Sequence, residues 1–350
     1  MHVVAEQLVH QLANQYSALE DVFGEAPRLI APSNLDRVSH DSFRLERGGL
    51  FRGQLWEQLD LPRLTQPDLL LNLCNLGPMM SRAAITMIHD AQVFITPDSY
   101  TWAFGNFYRK VLPVLGRRHA RILTVSEFSA NQLVRFGVAR RENIVVIHNG
   151  VDHVLVHDSQ PDIVKRFVLE SRKFVVGLAN VQAHKNIALL LRAFTAPALA
   201  DLKLVLIGSA RRENFEALGH AVPVNVVFAG RVSDGEVRAL LESALCVGLP
   251  STTEGFGLLP LEGMTLGCPA VVAPSGALIE IGATSALFAA PDNPREWINA
   301  IRLLADDLVQ WTHYSRAGRE RAQSFTWRRA GEQLVTVIRE AAMVNVFEKH

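Results

Sequence analysis

The chain is 350 residues long, 49% hydrophobic and 20% charged, with lysine plus arginine equal to aspartate plus glutamate at 35 each. That is enough apolar material for two domains with full cores, which excludes a disordered protein, and the balanced charge argues against a nucleic-acid partner. Cys74, Cys246 and Cys268 are far apart and flanked by apolar residues, so buried free thiols in a reducing, cytoplasmic setting are expected. No CxxC or HExxH spacing occurs and the histidines are scattered, so no protein metal cage is expected. No apolar run reaches the roughly 18 residues of a spanning helix, and the start is amphipathic rather than a signal peptide, so at most a peripheral membrane contact is expected.

Val4, Leu8 and Leu12, with Val9 and Tyr16, recur at helical spacing, so the chain opens in a helix. A doubly wound domain normally opens with a strand and a Gly-rich turn, and the first sheet is therefore expected to lack its first strand. On that reading, a chain extended upstream by such a strand and turn works better than these 350 residues do. Arg28 to Ala31 reads as a strand, Leu55 to Leu64 as a helix and Leu69 to Leu73 as a strand whose turn is Cys74-Asn75-Leu76-Gly77-Pro78. Ala84 to Ile88 is a buried strand delivering His89 and Asp90 at its carboxyl end, where ligands bind in open α/β sheets. A lone histidine after a strand also has a purely structural explanation.

Phe107 to Leu115 is helical, Ile122 to Val125 a strand, and Ser126 a cap for the helix running to Phe136. From Gly105 to Ile144 eight basic residues face only Glu127 and Glu142; the run is either a solvated face or a contact for anionic headgroups or a lipid-diphosphate acceptor. Ile144 to Ile147 closes this half, and His153 to Lys165, with Pro161, reads as a linker.

A second α/β region starts at Phe174-Val175-Val176-Gly177. Asn180, His184 and Lys185 follow that strand, and Lys185, at a strand-to-helix turn, is placed either to contact phosphate or to be a solvated first-turn lysine. Strands follow at Leu202 to Ile207, at Val224 to Phe228 ending in Gly230-Arg231, and at Cys246 to Leu249, with Asp234 a candidate cap for the helix to Ala244. Next comes Ser251-Thr252-Thr253-Glu254-Gly255-Phe256-Gly257-Leu258-Leu259-Pro260-Leu261-Glu262. Gly255 and Gly257 leave no side chain between backbone and ligand, so main-chain N–H groups can face an anion at the start of a helix, which suits a diphosphate. Glu254 lies before that helix and Glu262 within it, at most roughly 12 Å of axial rise apart, a gap a sugar nucleotide could span. A plain turn with two solvated glutamates is the alternative on spacing alone. Asn293-Pro294 starts a later helix, and Phe325-Thr326-Trp327 precedes the last.

Taken together, Glu254-Gly-Phe-Gly-Leu-Leu-Pro-Leu-Glu262, Gly267-Cys-Pro-Ala-Val-Val272 and Ser275-Gly276 to Glu280 resemble the Glu-x7-Glu signature of retaining glycosyltransferases of the GT-B class, family 4. Cys74 to Pro78 with Ile88-His89-Asp90 resembles the acceptor-side motif of its mannosyltransferases. Val125 to Ser129, Asn149-Gly-Val-Asp152 and Phe325-Thr-Trp327 match further stretches, so the likeness covers roughly residues 70 to 340.

The resemblance implies an α/β GT-B fold, two doubly wound Rossmann-like domains facing across a cleft: 1–155 on the acceptor side, 156–325 for the nucleotide sugar, and 326–350 crossing back. It implies Glu254, His89 and Lys185 as catalytic residues and Gly255, Phe256, Gly257, Leu258, Glu262, Asn180 and Arg231 as the nucleotide-binding set, with no metal and no cofactor beyond the donor. The implied reaction moves a hexose, mannose favoured, from a nucleoside-diphosphate sugar such as GDP-mannose to a saccharide or lipid-linked saccharide. The family's arginine after the strand glycine is missing, and Asn180 or His184 stands in its place. That departure motivates a second reading, a non-catalytic or impaired nucleotide-sugar-binding homologue. A sugar-nucleotide epimerase is a third, which leaves the Glu254 and Glu262 pair unexplained.

Overall fold

A computed structural model describes residues 2–15, 19–20, 23–24, 26–35, 43–66 and 68–347; Tyr16 of the first predicted helix lies outside them. The chain divides into two units, Met1–Asn149 with Trp327–His350, and Gly150–Thr326.

The first unit opens with α1 (His2–Asn14), which buries Val4, Leu8 and Leu12 as its spacing requires. Strands β1 (Arg28–Pro32) and β2 (Arg44–Gly48) form a parallel pair, with Arg28 ion-paired to both Glu46 and Asp68. Strands β3 (Leu70–Asn72), β4 (Ala84–Met87), β5 (Arg121–Thr124) and β6 (Ile144–Val146) make a separate parallel sheet in that order. Among the described residues no strand links β1 to β3. The inner strand β4 is buried along its whole length, as expected where both sheet faces are covered. Helix α2 (Trp102–Arg118) and helix α3 (Glu127–Arg135) start at Thr101 and Ser126, whose hydroxyls accept from the amides of Phe104 and Ser129. Gly116 packs against the carbonyl of Val138 so closely that a Cβ there would lie 1.9 Å from the oxygen. The C-terminal helix Trp327–Phe347 lies on α1, with Gly331 set against Gln11.

The second unit holds six parallel strands: β7 (Phe174–Leu178), β8 (Lys203–Ile207), β9 (Val226–Gly230), β10 (Cys246–Leu249), β11 (Ala270–Val272) and β12 (Leu287–Phe288). Their spatial order is β12-β11-β10-β7-β8-β9. The chain thus builds outward from β7 in one direction and returns to start again at β10 beside it, the doubly wound order with its switch point between β7 and β10. Side chains alternate between two cores. Val175, Leu204 and Leu206 pack with Leu190 and Trp297, while Phe174, Val176 and Val205 pack with Leu240 and Leu259. Helices α4 (Ile187–Ala193), α5 (Asp234–Ser243), α6 (Leu258–Leu266), α7 (Pro294–Asp306) and α8 (Leu308–Ala322) carry the rest of the apolar surface.

The structure corrects several expectations. Cys74 is exposed, because its turn leaves the edge of the four-stranded sheet, whereas Cys246 and Cys268 are buried and burial pushes their thiols up. The cap of α5 is Ser233, in a reciprocal box with Glu236, rather than Asp234. Helix α2 runs well beyond Phe107 to Leu115 at both ends and carries Pro113 internally. No helix among the described residues is long and apolar enough to cross a membrane.

Candidate active site

Loops leaving the carboxyl ends of β7 and β10 meet at the switch point, and both carry residues singled out in the sequence. After β7 a short 3-10 turn, Ala183–Lys185, presents Lys185. After β10 comes Pro250-Ser251 and the Glu254 loop. Cross-bonds weld the two loops: the amide of Thr252 donates to the carbonyl of His184 at 2.8 Å, and Asn186 Nδ2 donates to the carbonyls of Pro250 at 3.1 Å and Pro291 at 2.7 Å. Asn186 reaches both from a left-handed backbone, φ 54°, which asparagine tolerates better than most residues.

On this frame Lys185 Nζ lies 2.8 Å and 3.0 Å from the two carboxylate oxygens of Glu254. The side chains are only 18% and 10% exposed, so the pair is poorly screened. Ser251 is fully buried and donates its hydroxyl to Glu254 Oε1 at 2.7 Å. The Glu254 backbone is fixed as well: its carbonyl accepts from the Ala277 amide at 3.0 Å, and Gly276 sits so close that a Cβ would lie 2.6 Å from both Glu254 N and O. The unit therefore holds one carboxylate and one ammonium in a defined geometry beside the start of α6. Burial lowers the His184 pKa, and the Lys185 charge lowers it further against the opposing effect of Glu254.

Gly257 stands immediately before α6 at φ 113°, with Leu278 and Ile281 so near that a Cβ would lie 2.7 Å and 2.8 Å from them. Only glycine fits both the angle and the space. Phe256 is buried, with its ring edge-on to Phe325 at 5.9 Å. Pro260 occupies a first-turn position where its missing N–H leaves no broken helix bond, and the unpaired amides with the helix dipole make this end attractive to anions. Glu262, one turn further on, is half-buried with Oε1 3.1 Å from His153 Nε2. Gly255 is buried in the same loop and Leu258 is the first residue of α6, but Asn180 and Arg231 lie differently. Asn180 turns in on its own loop, its Oδ1 accepting from the Gln182 amide at 2.8 Å, and Arg231 is exposed beyond β9, two strands from β7.

His89 belongs to the first unit, just beyond the carboxyl end of β4. Its Nε2 lies 2.9 Å from the carbonyl of Leu73, its amide donates to Asn75 Oδ1 at 2.8 Å, and its carbonyl accepts from Ser129 Oγ at 3.1 Å. A carbonyl only accepts, so Nε2 carries the proton and Nδ1 the lone pair. Burial pushes its pKa down to about 4, so the ring is neutral at pH 7.

Sequence reading missed Ser251, Asn186 and His153 as parts of the site. Ser251 stood inside the motif, and its burial was the only further signal. His153 lay in the presumed linker, and nothing in the sequence ties it to Glu262.

Comparison with known proteins matches two family profiles, Glycosyltransferase Family 4 over residues 3–155 and Glycosyl transferases group 1 over residues 159–321. The solved structure of WaaG, a glycosyltransferase involved in lipopolysaccharide biosynthesis, superposes with a TM-score of 0.71 at 14% identity over 95% of both chains. Sucrose-phosphate synthase from Thermosynechococcus elongatus does so at 0.69 and 18% identity, over 89% of this chain and 87% of that one. The fold is that of GT-B glycosyltransferases, built from two Rossmann-like domains.

An O-antigen chain mannosyltransferase, RfbU of Salmonella typhimurium, is 26% identical over 68% of this chain and 65% of its own length. A GDP-mannose-dependent phosphatidylinositol dimannoside mannosyltransferase of Mycobacterium tuberculosis is 27% identical over 62% of this chain and 57% of its own. Between them the two profiles cover most of the chain and place it among the glycosyltransferases, and the matched part spans 57–65% of these two relatives.

Proposed function

We propose that this protein is a retaining hexosyltransferase that takes mannose from GDP-mannose and passes it to a saccharide or lipid-linked saccharide in polysaccharide or glycoconjugate synthesis. The observation that carries the reading is the Lys185–Glu254 pair at the β7/β10 switch point, beside the N-terminus of α6. In the proposed complex the diphosphate lies at that helix start, Glu262 accepts from the ribose hydroxyls and Glu254 faces the donor sugar. Lys185 leaves its carboxylate partner as negative charge grows on the departing diphosphate, and a preorganised cation is worth most at that moment. Departure and attack on one face of the sugar give retention without a covalent intermediate, and His89 Nδ1 accepts from the incoming hydroxyl. No metal or cofactor is part of this scheme. The mannosyl donor and the acceptor class rest on the relatives' names. Peripheral contact with the inner membrane face is proposed for residues 105–144, where Phe107 and Lys110 are exposed on α2.

The test is acceptor-dependent transfer from a panel of GDP-, UDP- and ADP-sugars, read beside thermal shifts, since a ligand of the native state raises apparent stability. A thermal shift with no transfer to any saccharide acceptor would favour the non-catalytic homologue, which the inward-turned Asn180 also suits.

A further inference from the structure

We infer that His153 is the positioning residue for Glu262, and that it sets how strongly the site prefers a nucleotide carrying both ribose hydroxyls. The inference rests on the reading of Glu262 as the ribose acceptor. It starts from the segment that follows Asn149, which the sequence presents as a linker. In the structure this segment is fastened at three places inside the second unit. The Val151 amide donates to the Phe325 carbonyl at 3.1 Å, Val154 is buried, and Arg238 of α5 donates to the carbonyls of Leu155 and His157, both at 3.0 Å. Between these anchors a short 3-10 helix, Asp152–Leu155, packs on α6 and brings His153 Nε2 to 3.1 Å from Glu262 Oε1.

Both side chains are largely withdrawn from water, 12% and 15% exposed, so the contact is not a mobile surface pair. A carboxylate only accepts, so Nε2 bears the hydrogen whatever the charge of the ring. One lone pair of Oε1 is then committed and the plane of the carboxylate is set. The other oxygen and the second lone pair of Oε1 are left to accept two neighbouring hydroxyls, the number a ribose 2′,3′-diol presents. An acceptor already oriented before the ligand arrives has less freedom to lose on binding. The Phe325 that holds Val151 also braces Phe256 of the glycine-rich loop, so one residue supports the ribose end and the diphosphate end of the site.

The experiment compares binding of GDP and 2′-deoxy-GDP, with UDP and 2′-deoxy-UDP in parallel, by calorimetry on the wild type, His153→Ala, His153→Gln, Glu262→Ala and the His153→Ala/Glu262→Ala double variant. The wild type should prefer the ribonucleotide about tenfold, the order of one hydrogen bond to a charged group. His153→Ala should shrink that preference to about twofold while leaving the melting transition cooperative. His153→Gln, which keeps a donor at similar reach, should restore most of it. The double variant should lose no more than Glu262→Ala alone, because coupled neighbours are not additive. Full preference in His153→Ala, with Glu262→Ala losing it, would overturn the role of His153 and leave the ribose reading intact. Unchanged preference in Glu262→Ala, or none in the wild type, would overturn the ribose reading and this inference with it.

Discussion

The carboxyl edges of the four-stranded and the six-stranded parallel sheets carry different chemistry. In the second unit that edge carries a paired ammonium and carboxylate, cross-bonded loops and a helix start, all parts that respond to charge. In the first it carries His89, kept neutral by burial and bonded to the backbone, which suits an uncharged partner such as a hydroxyl. A shared kind of sheet therefore does not imply shared chemistry, because the loops decide whether the edge stabilises charge or withholds it.

The sharpest way to break this contrast is Glu254→Ala. Turnover should fall about 100-fold or more, since in the proposed complex the group faces the reacting sugar, while affinity for the free nucleoside diphosphate changes little. Melting curves should show a matching asymmetry. Either single deletion in the Lys185–Glu254 pair leaves a half-buried charge uncompensated and should destabilise by about 2–4 kcal/mol, whereas Lys185→Met/Glu254→Leu should lose less than the sum. Additive losses would show that the pair is not coupled.

The next effect belongs to the first unit and depends on pH. A histidine whose folded pKa is depressed contributes stability that is fully present above its unfolded value near 6.5 and is lost as pH falls toward about 4. Unfolding free energy should drop by about 1.4 kcal/mol per pH unit across that window, and His89→Gln should flatten the part due to this residue. His184 is shifted in the same direction, so some slope should remain. Identical slopes with and without His89 would contradict the burial argument.

Gly257→Ala should cost about 1–3 kcal/mol through its positive φ and contact with Leu278 and Ile281, and it should weaken diphosphate binding by displacing the start of α6. Ser251→Ala should have the smallest effect, about 1 kcal/mol, because Lys185 still holds the carboxylate when the hydroxyl is gone. Loss of turnover as deep as in Glu254→Ala would give Ser251 a larger role than support.

Much of this was legible in the sequence, for physical reasons. Buried parallel strands such as Phe174-Val-Val-Gly177 and Leu204-Val-Leu-Ile207 are continuous apolar runs, and the loops after them announce themselves by glycine. Strand β2 did not, because Arg44-Leu-Glu-Arg-Gly48 is polar and half-exposed and depends on pairing with β1. Helix α2 outran its predicted Phe107 to Leu115 at both ends: the Thr101 cap starts it at Trp102, and packing of Val111, Leu112 and Leu115 carries it through Pro113 to Arg118. Lys185 was singled out by its place at a strand-to-helix turn, and Glu254 and Glu262 by their spacing within one short motif. That Lys185 and Glu254 pair, and that His153 reaches Glu262, depend on distant segments meeting, and no local pattern records it.

In the proposed function the β7/β10 switch point holds a nucleoside-diphosphate sugar and drives departure of its diphosphate. Steady-state transfer from GDP-mannose by the wild type and Lys185→Ala tests it most directly. In Lys185→Ala kcat should fall by at least tenfold more than KM rises, because in the proposed complex the charge facing Lys185 grows in the transition state. Equal losses in both, or none in either, would contradict it.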